Sequence, residues 1–209
     1  MDQSIILIDA GTGNLRSVHK ALESLGAQVT LTADPQAIVN GHKLVLPGVG
    51  AFGDFMGGLR LRRIEAPLLE AARRGVPLLG ICVGMQALFE TGEELGEHQG
   101  LGLLPGRVIR FPGPIGLKVP HTGWNQLMTR AGSPLWKDVR AGDYVYFNHA
   151  YYCAPSNSAD TAATTEYGLQ FTSAVQRNRI FGVQFHPEKS QNVGLQILAN
   201  FLAFPVSDQ

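Results

Sequence analysis

The first half of the chain is dominated by short runs that are apolar on both faces, each followed by a stretch with helical spacing. Residues 5–8, 28–31, 43–46 and 76–81 read as strands. Strands that lack polar alternation must be covered on both sides, which is the condition of a parallel sheet with helices above and below it. Between them, Leu15, Val18, Leu22 and Leu25 recur at helical spacing, and Gly26 is placed to end that helix. Leu61, Ile64, Leu68, Leu69 and Ala72 mark a helix over residues 61–74, closed by Arg73, Arg74 and Gly75. Residues 83–89 read as a further helix. This order predicts an α/β fold: an open, mostly parallel sheet with helices on both faces.

From Gly100 onward the texture changes. Residues 106–111, 143–148, 162–167, 174–177 and 180–185 are short strand candidates separated by polar turns, which predicts an antiparallel extension of the sheet. A last helix is expected over residues 192–204, with Leu195, Leu198, Ala199 and Leu202 inward. With no internal repeat and no linker, residues 1–209 are expected to form a single domain.

Composition excludes several functions. A hydrophobic fraction of 44% supports a sizeable core, and the 17 basic and 17 acidic residues cancel. No basic field exists to collect phosphate backbones, so nucleic-acid binding is not expected. Charged residues make up only 16%, against roughly 25% in an average domain, which leaves room for a surface covered by a partner. Two cysteines, Cys82 and Cys153, make no disulfide framework, and no metal-ligand or cofactor motif accompanies them. The start of the chain is too short and too abruptly polar for a signal peptide, and no apolar run approaches the roughly 20 residues of a membrane span. A reducing, cytoplasmic location is expected.

Chemistry concentrates at Gly80-Ile81-Cys82-Val83-Gly84. A strand running into a cysteine, with glycines two residues to either side and a helix after it, has the layout of a nucleophile elbow. Such a turn lifts the sulfur to the sheet's edge and turns the Val83 N–H toward an oxyanion formed on an attacked carbonyl. The alternative is a buried structural cysteine; Cys153, which lacks the glycines and the helix, is assigned to that class. Of six histidines, His186 is best placed as the base, because it follows an apolar strand and so reaches an edge where α/β sites gather. Extended backbone through Pro187 would put His186 and Glu188 on one side, so that the carboxylate can orient the imidazole. Alone, His-Pro-Glu reads equally well as a surface turn. Leu46-Pro47-Gly48-Val49-Gly50 ends another strand in a glycine turn that can offer a second oxyanion donor near Val49 and Gly50. No Gly-Lys-Ser/Thr follows, which excludes a P-loop, and Gly11 and Gly13 with Arg16 make an incomplete dinucleotide fingerprint.

The glycine turn, the Gly-Ile-Cys-Val-Gly-Met-Gln elbow and the Phe-His-Pro-Glu ending together resemble the class I (triad) glutamine amidotransferases. Residues 8–15, 46–50, 119–125, 146–151 and 185–190 resemble the branch of that family serving histidine biosynthesis. The resemblance implies hydrolysis of L-glutamine, with ammonia passed to a (β/α)8-barrel cyclase subunit that makes imidazole glycerol phosphate. It implies a triad of Cys82, His186 and Glu188, with Gly50 in the oxyanion turn and Gln86 and Glu94 holding glutamine. Tyr151 joins that pocket, while Trp124, Asn125, Tyr146 and Lys189 lie near the partner face; without the resemblance, Trp124 and Tyr146 read as core and Lys189 as solvated surface. Where the family usually has Ser or Thr before the tyrosine, this chain has Ala150. Two rival expectations are a glutaminase subunit of another synthase, such as that of pyridoxal phosphate, and a scaffold of the same fold without catalysis. The isolated chain is expected to be a poor glutaminase.

Overall fold

A computed structural model describes residues 4–113 and 116–206. Its first half alternates as expected: β1 (Ser4–Ile8), α1 (Leu15–Ser24), β2 (Gln28–Thr32), α2 (Pro35–Val39), β3 (Leu44–Gly48), α3 (Phe52–Leu61), α4 (Glu65–Arg73), β4 (Leu78–Cys82) and α5 (Val83–Gln86). β5 (Phe89–Gly92), β6 (His98–Gln99), β7 (Leu104–Arg110), β8 (His121–Thr129), β9 (Asp143–His149) and β10 (Tyr151–Pro155) follow. The chain closes with β11 (Thr161–Glu166), β12 (Gln170–Arg177), β13 (Ile180–Val183) and α6 (Gln191–Ala203).

The main sheet runs β2-β1-β3-β4-β13-β12-β10-β7-β5-β6. From β2 to β13 every neighbouring pair is parallel. β12 then pairs antiparallel with β13 and opens the extension, which carries β10 and β7 in the same sense and branches through β11 to the β8–β9 ladder. The parallel strands β3, β4 and β13 are buried at every position, the state their continuous apolar runs demand. α1 packs with α6 and α2 packs with α4, giving the sheet its helical cover. One hydrophobic cluster links both halves, from Ile5 and Leu7 to Phe171 and Phe201. Against the end of α6, the buried Lys43 donates to the carbonyls of Leu202 and Phe204 and so occupies acceptors that the helix leaves open.

Several local expectations are corrected. The helix expected over residues 61–74 is the end of one helix and the whole of another. Arg63 takes a φ of 59° between α3 and α4, and Leu61, the supposed inward residue, is 82% exposed. The helix after Cys82 is a single turn, because Phe89 is drawn into β5. In α6 the inward face is Gly194, Ile197, Leu198 and Phe201, so Leu195, Ala199 and Leu202 are only half-buried. β8 and β10 were not expected as strands.

Candidate active site

The elbow forms by close packing. Cys82 sits at φ 56° and ψ −114°, a left-handed backbone that turns the chain out of β4 and directly into α5. A Cβ at Gly80 would stand 2.6 Å from the Gly84 carbonyl oxygen, and one at Gly84 would collide with the Leu46 carbonyl. Both glycines are therefore required by backbone contact, as their spacing predicted. Val83 opens α5, so its N–H belongs to the first turn, where donors have no acceptor within the helix.

Strand register brings the remaining groups to the sulfur. Gly48 lies opposite Cys82 in the β3–β4 ladder, so the Val49–Gly50 turn leaves the sheet beside the thiol. Gly50 has a φ of +92° and open space around its Cα, and Val49 is 36% exposed. On the other side, β13 pairs with β4 with Val183 opposite Ile81. Gln184 therefore falls beside Cys82, and its Nε2 donates toward Sγ at 3.8 Å.

His186 follows two residues later, 4% exposed, with Nδ1 3.0 Å from Glu188 Oε1. The contact agrees with the expectation but its cause differs. Pro187–Lys189 forms a turn of 3-10 helix rather than extended chain, and that turn swings the carboxylate back to the ring. Burial alone would push the imidazole pKa down. Side-chain hydrogen-bond and coulombic interactions with Cys82 and Glu188 overcome this and raise it to about 10. The ring thus holds a proton at neutral pH, with Nδ1 turned to Glu188 and Nε2 left for the sulfur. Cys153 is also buried, and its thiol is pushed well above its ordinary pKa by that burial and by Cys82 nearby.

Cys82, Val83, His186, Val49 and Gly50 line one cavity of about 240 Å³, below the roughly 300–1,000 Å³ typical of drug-sized ligands. Gln86, Glu94 and Tyr151 line it as well. Gln86 is buried and donates from Nε2 to the Tyr151 carbonyl and to Gln184 Oε1, both at 3.1 Å. Glu94 Oε2 accepts from the Phe52 N–H at 2.8 Å, which ties it to the start of α3 just past the glycine turn. Ala150 contributes to the wall, as do His149, Asn148 and Pro120. Neither His149 nor Gln184 was singled out in the sequence: the first lies inside a longer motif, and the second is a glutamine ending an apolar strand, with no spacing to mark it.

The four residues implied for the partner face divide. Trp124 and Tyr146 pair across β8 and β9 with their rings edge to face, centroids 6.1 Å apart, and Lys189 Nζ stands 5.7 Å from the Tyr146 ring centroid. Trp124 is 46% exposed. Asn125 points to the other side of the strand, donating to the Glu166 carbonyl at 2.8 Å and contacting His121. Among the described residues, no group of three or more His, Cys, Asp or Glu side chains is placed to hold a metal ion, and no helix is long and apolar enough to cross a membrane.

An open α/β sheet that presents a cysteine on a tight turn, facing a histidine across a small cavity, has the layout of a thiol-dependent α/β enzyme. The chain belongs to the class-I glutamine amidotransferase family, whose pattern it matches over residues 6–204. It is 51% identical over 208 residues to the imidazole glycerol phosphate synthase subunit HisH of Salinibacter ruber, covering 97% of this chain and 95% of that one. The HisH subunit of Moorella thermoacetica is 50% identical over 197 residues, covering 94% and 93%. Among solved structures, PurLQS from Thermotoga maritima superposes with a TM-score of 0.74 at 18% identity, over 98% of this chain and 99% of that one. A structure described as a glutamine amidotransferase superposes at 0.72 with 19% identity, over 93% and 98%. At those identities the likeness is one of fold, and it covers the antiparallel extension as well as the parallel half.

Proposed function

We propose that residues 1–209 act as one glutamine amidotransferase domain, hydrolysing L-glutamine to glutamate and ammonia through a Cys82 glutamyl thioester. The ammonia passes to a (β/α)8-barrel cyclase subunit, which uses it to make imidazole glycerol phosphate in histidine biosynthesis. The observation that carries the chemistry is the meeting of Cys82 and His186 on one cavity, with Glu188 behind the ring. The full-length likeness to HisH subunits supports the pathway.

Cys82 Sγ, its proton passed to His186 Nε2, attacks the side-chain amide carbon of glutamine, and the carbonyl oxygen takes up the negative charge. In this reading the Val83 N–H and the backbone of the Val49–Gly50 turn receive it. As the C–N bond breaks, His186 Nε2 gives its proton to the departing nitrogen, which leaves as ammonia. The neutral ring then takes a proton from water, and the hydroxide displaces the sulfur to release glutamate. Glu188 holds the ring throughout and offsets its charge. Gln86, Glu94 and Tyr151 hold the amino acid. Trp124, Tyr146 and Lys189 offer an aromatic and basic surface to the partner, with Asn125 supporting it from beneath. Ammonia in neutral water is mostly protonated and no longer nucleophilic, so delivery within a complex has a chemical reason. Free thiols fit a reducing cytoplasm.

A glutamine-mimicking electrophile should label the chain stoichiometrically, and Cys82→Ala should abolish the label. Labelling at Cys153 would overturn the assignment. Glutaminase turnover should be slow for the chain alone and rise with the barrel partner and its ligand. Full turnover without the partner would refute the coupling.

A further inference from the structure

Two buried histidines outside the proposed triad, His121 and His149, face each other across β8 and β9. Their hydrogen bonds run in one direction only. A backbone carbonyl can only accept, so His149 Nδ1, 2.8 Å from the Tyr151 oxygen, must carry the proton. Neutral His149 then has a lone pair on Nε2, and His121 Nδ1, 3.0 Å away, must be the donor. That leaves a lone pair on His121 Nε2, which faces the Asn125 amide Nδ2 at 3.3 Å. Every link has one donor and one acceptor, and no other arrangement of protons satisfies all of them.

The chain of bonds ends in the pocket. The Tyr151 carbonyl that His149 fixes also accepts from Gln86 Nε2, which in turn donates to Gln184 Oε1. With its oxygen engaged, Gln184 must turn its amide nitrogen toward Cys82. We propose that His121 and His149 form a one-way hydrogen-bond relay that positions the Tyr151 carbonyl and the Gln86 amide against bound glutamine. The inference rests on the glutaminase reading for its substrate, but the relay itself does not.

Both rings are held neutral. Burial lowers His121 to about 4; for His149, burial is again the main cause, and despite the bond to Tyr151 its pKa falls to about 3 with His121 and His186 adding to the fall. A proton added to His149 Nε2 would oppose the His121 N–H and break the relay. Packing holds the geometry: the His121 ring stacks on Tyr167 at 3.9 Å and on Phe147 at 4.7 Å between centroids.

Two measurements test the relay. In the full chain with 15N-labelled histidine, two-bond 1H–15N spectra at pH 7 should show His121 and His149 neutral and protonated on Nδ1, the minor form of free imidazole. A neutral ring protonated on Nε2, or a charged ring at either position, would overturn the proposal. The second measurement is glutaminase kinetics of the complex with the cyclase. His121→Phe keeps a stacking ring but removes the donor, and KM for glutamine should rise roughly five- to tenfold, the size of one buried neutral hydrogen bond, with kcat within about twofold. His121→Asn returns a donor near Nδ1 while losing the ring, and should stay closer to wild type in KM. If the ring matters only for stacking, the order reverses, with Phe harmless and Asn impaired, and the relay is refuted. An inactive wild-type complex would remove the glutaminase reading, and the tautomers would still decide the relay.

Discussion

Glu188 Oε1 lies 3.0 Å from His186 Nδ1, with the side chains 1% and 5% exposed, so the pair is shielded from water on nearly every side. The carboxylate fixes the tautomer of the ring and its charge. Glu188→Gln preserves shape but loses the charge and offers a donor where an acceptor is needed. Glutaminase kcat should fall by about 10²–10⁴-fold, by analogy with the loss of the carboxylate in serine-protease triads, with KM little changed. A change smaller than tenfold in steady-state assays would remove Glu188 from the mechanism.

The same pair makes stability depend on pH. The folded state binds the His186 proton more tightly than the unfolded chain, because the pKa rises from 6.5 to about 10. This contribution is fully present below pH 6.5 and is lost progressively as pH climbs toward 10. Denaturant midpoints of the wild type should therefore decline over that window relative to His186→Asn. Parallel curves for the two proteins would show that the ring gains nothing from its neighbours.

Cys82 carries backbone strain that a smaller residue would release. A non-glycine residue at φ 56° and ψ −114° costs of order 1–3 kcal/mol. Cys82→Gly should thus be more stable than Cys82→Ala by about 1 kcal/mol, although glycine is ordinarily the weaker of the two by about 0.5–1 kcal/mol. Thermal unfolding of the two variants, both inactive, checks the sign.

Gly84 touches the Leu46 carbonyl at its Cα, and no side-chain rotation can relieve a methyl group placed there. Gly84→Ala has to shift α5 away from β3, and overpacking of this kind costs about 1–3 kcal/mol. The variant should melt lower and react more slowly with electrophiles at Cys82. Gly57→Ala, at a position with open space around the Cα, is the matched control and should do neither.

The parallel half was legible because its strands are buried on both faces and write that condition as unbroken apolar runs. The elbow was legible because two glycines in backbone contact leave a fixed spacing around Cys82. Other elements hide for physical reasons. In β8 only His121 and Leu127 are buried, so the strand reads as polar and exists through its ladder to β9. α3 contains Gly53, Gly57 and Gly58, which speak against a helix, but Phe52, Phe55, Met56 and Leu59 bury its inner face and prevail. Gln184 and His149 owe their places to pairing partners far away in the chain, and composition holds no trace of that. The contact between His186 and Glu188 was expected for a reason the backbone does not follow: a tight turn, not an extended segment, joins them.

Because β13 lies directly beside β4 with Gly182 opposite Gly80, the distance from thiol to imidazole is metered by main-chain amides rather than by the two side chains themselves. A slip of two residues along that ladder would carry His186 about 6.6 Å from its station while keeping every hydrophobic residue on its proper face. Hydrophobicity alone cannot police such an error. The turn at Arg177–Ile180, which seats β13 against β12, is therefore a calibration point for the chemistry, although it stands at the opposite end of the strand.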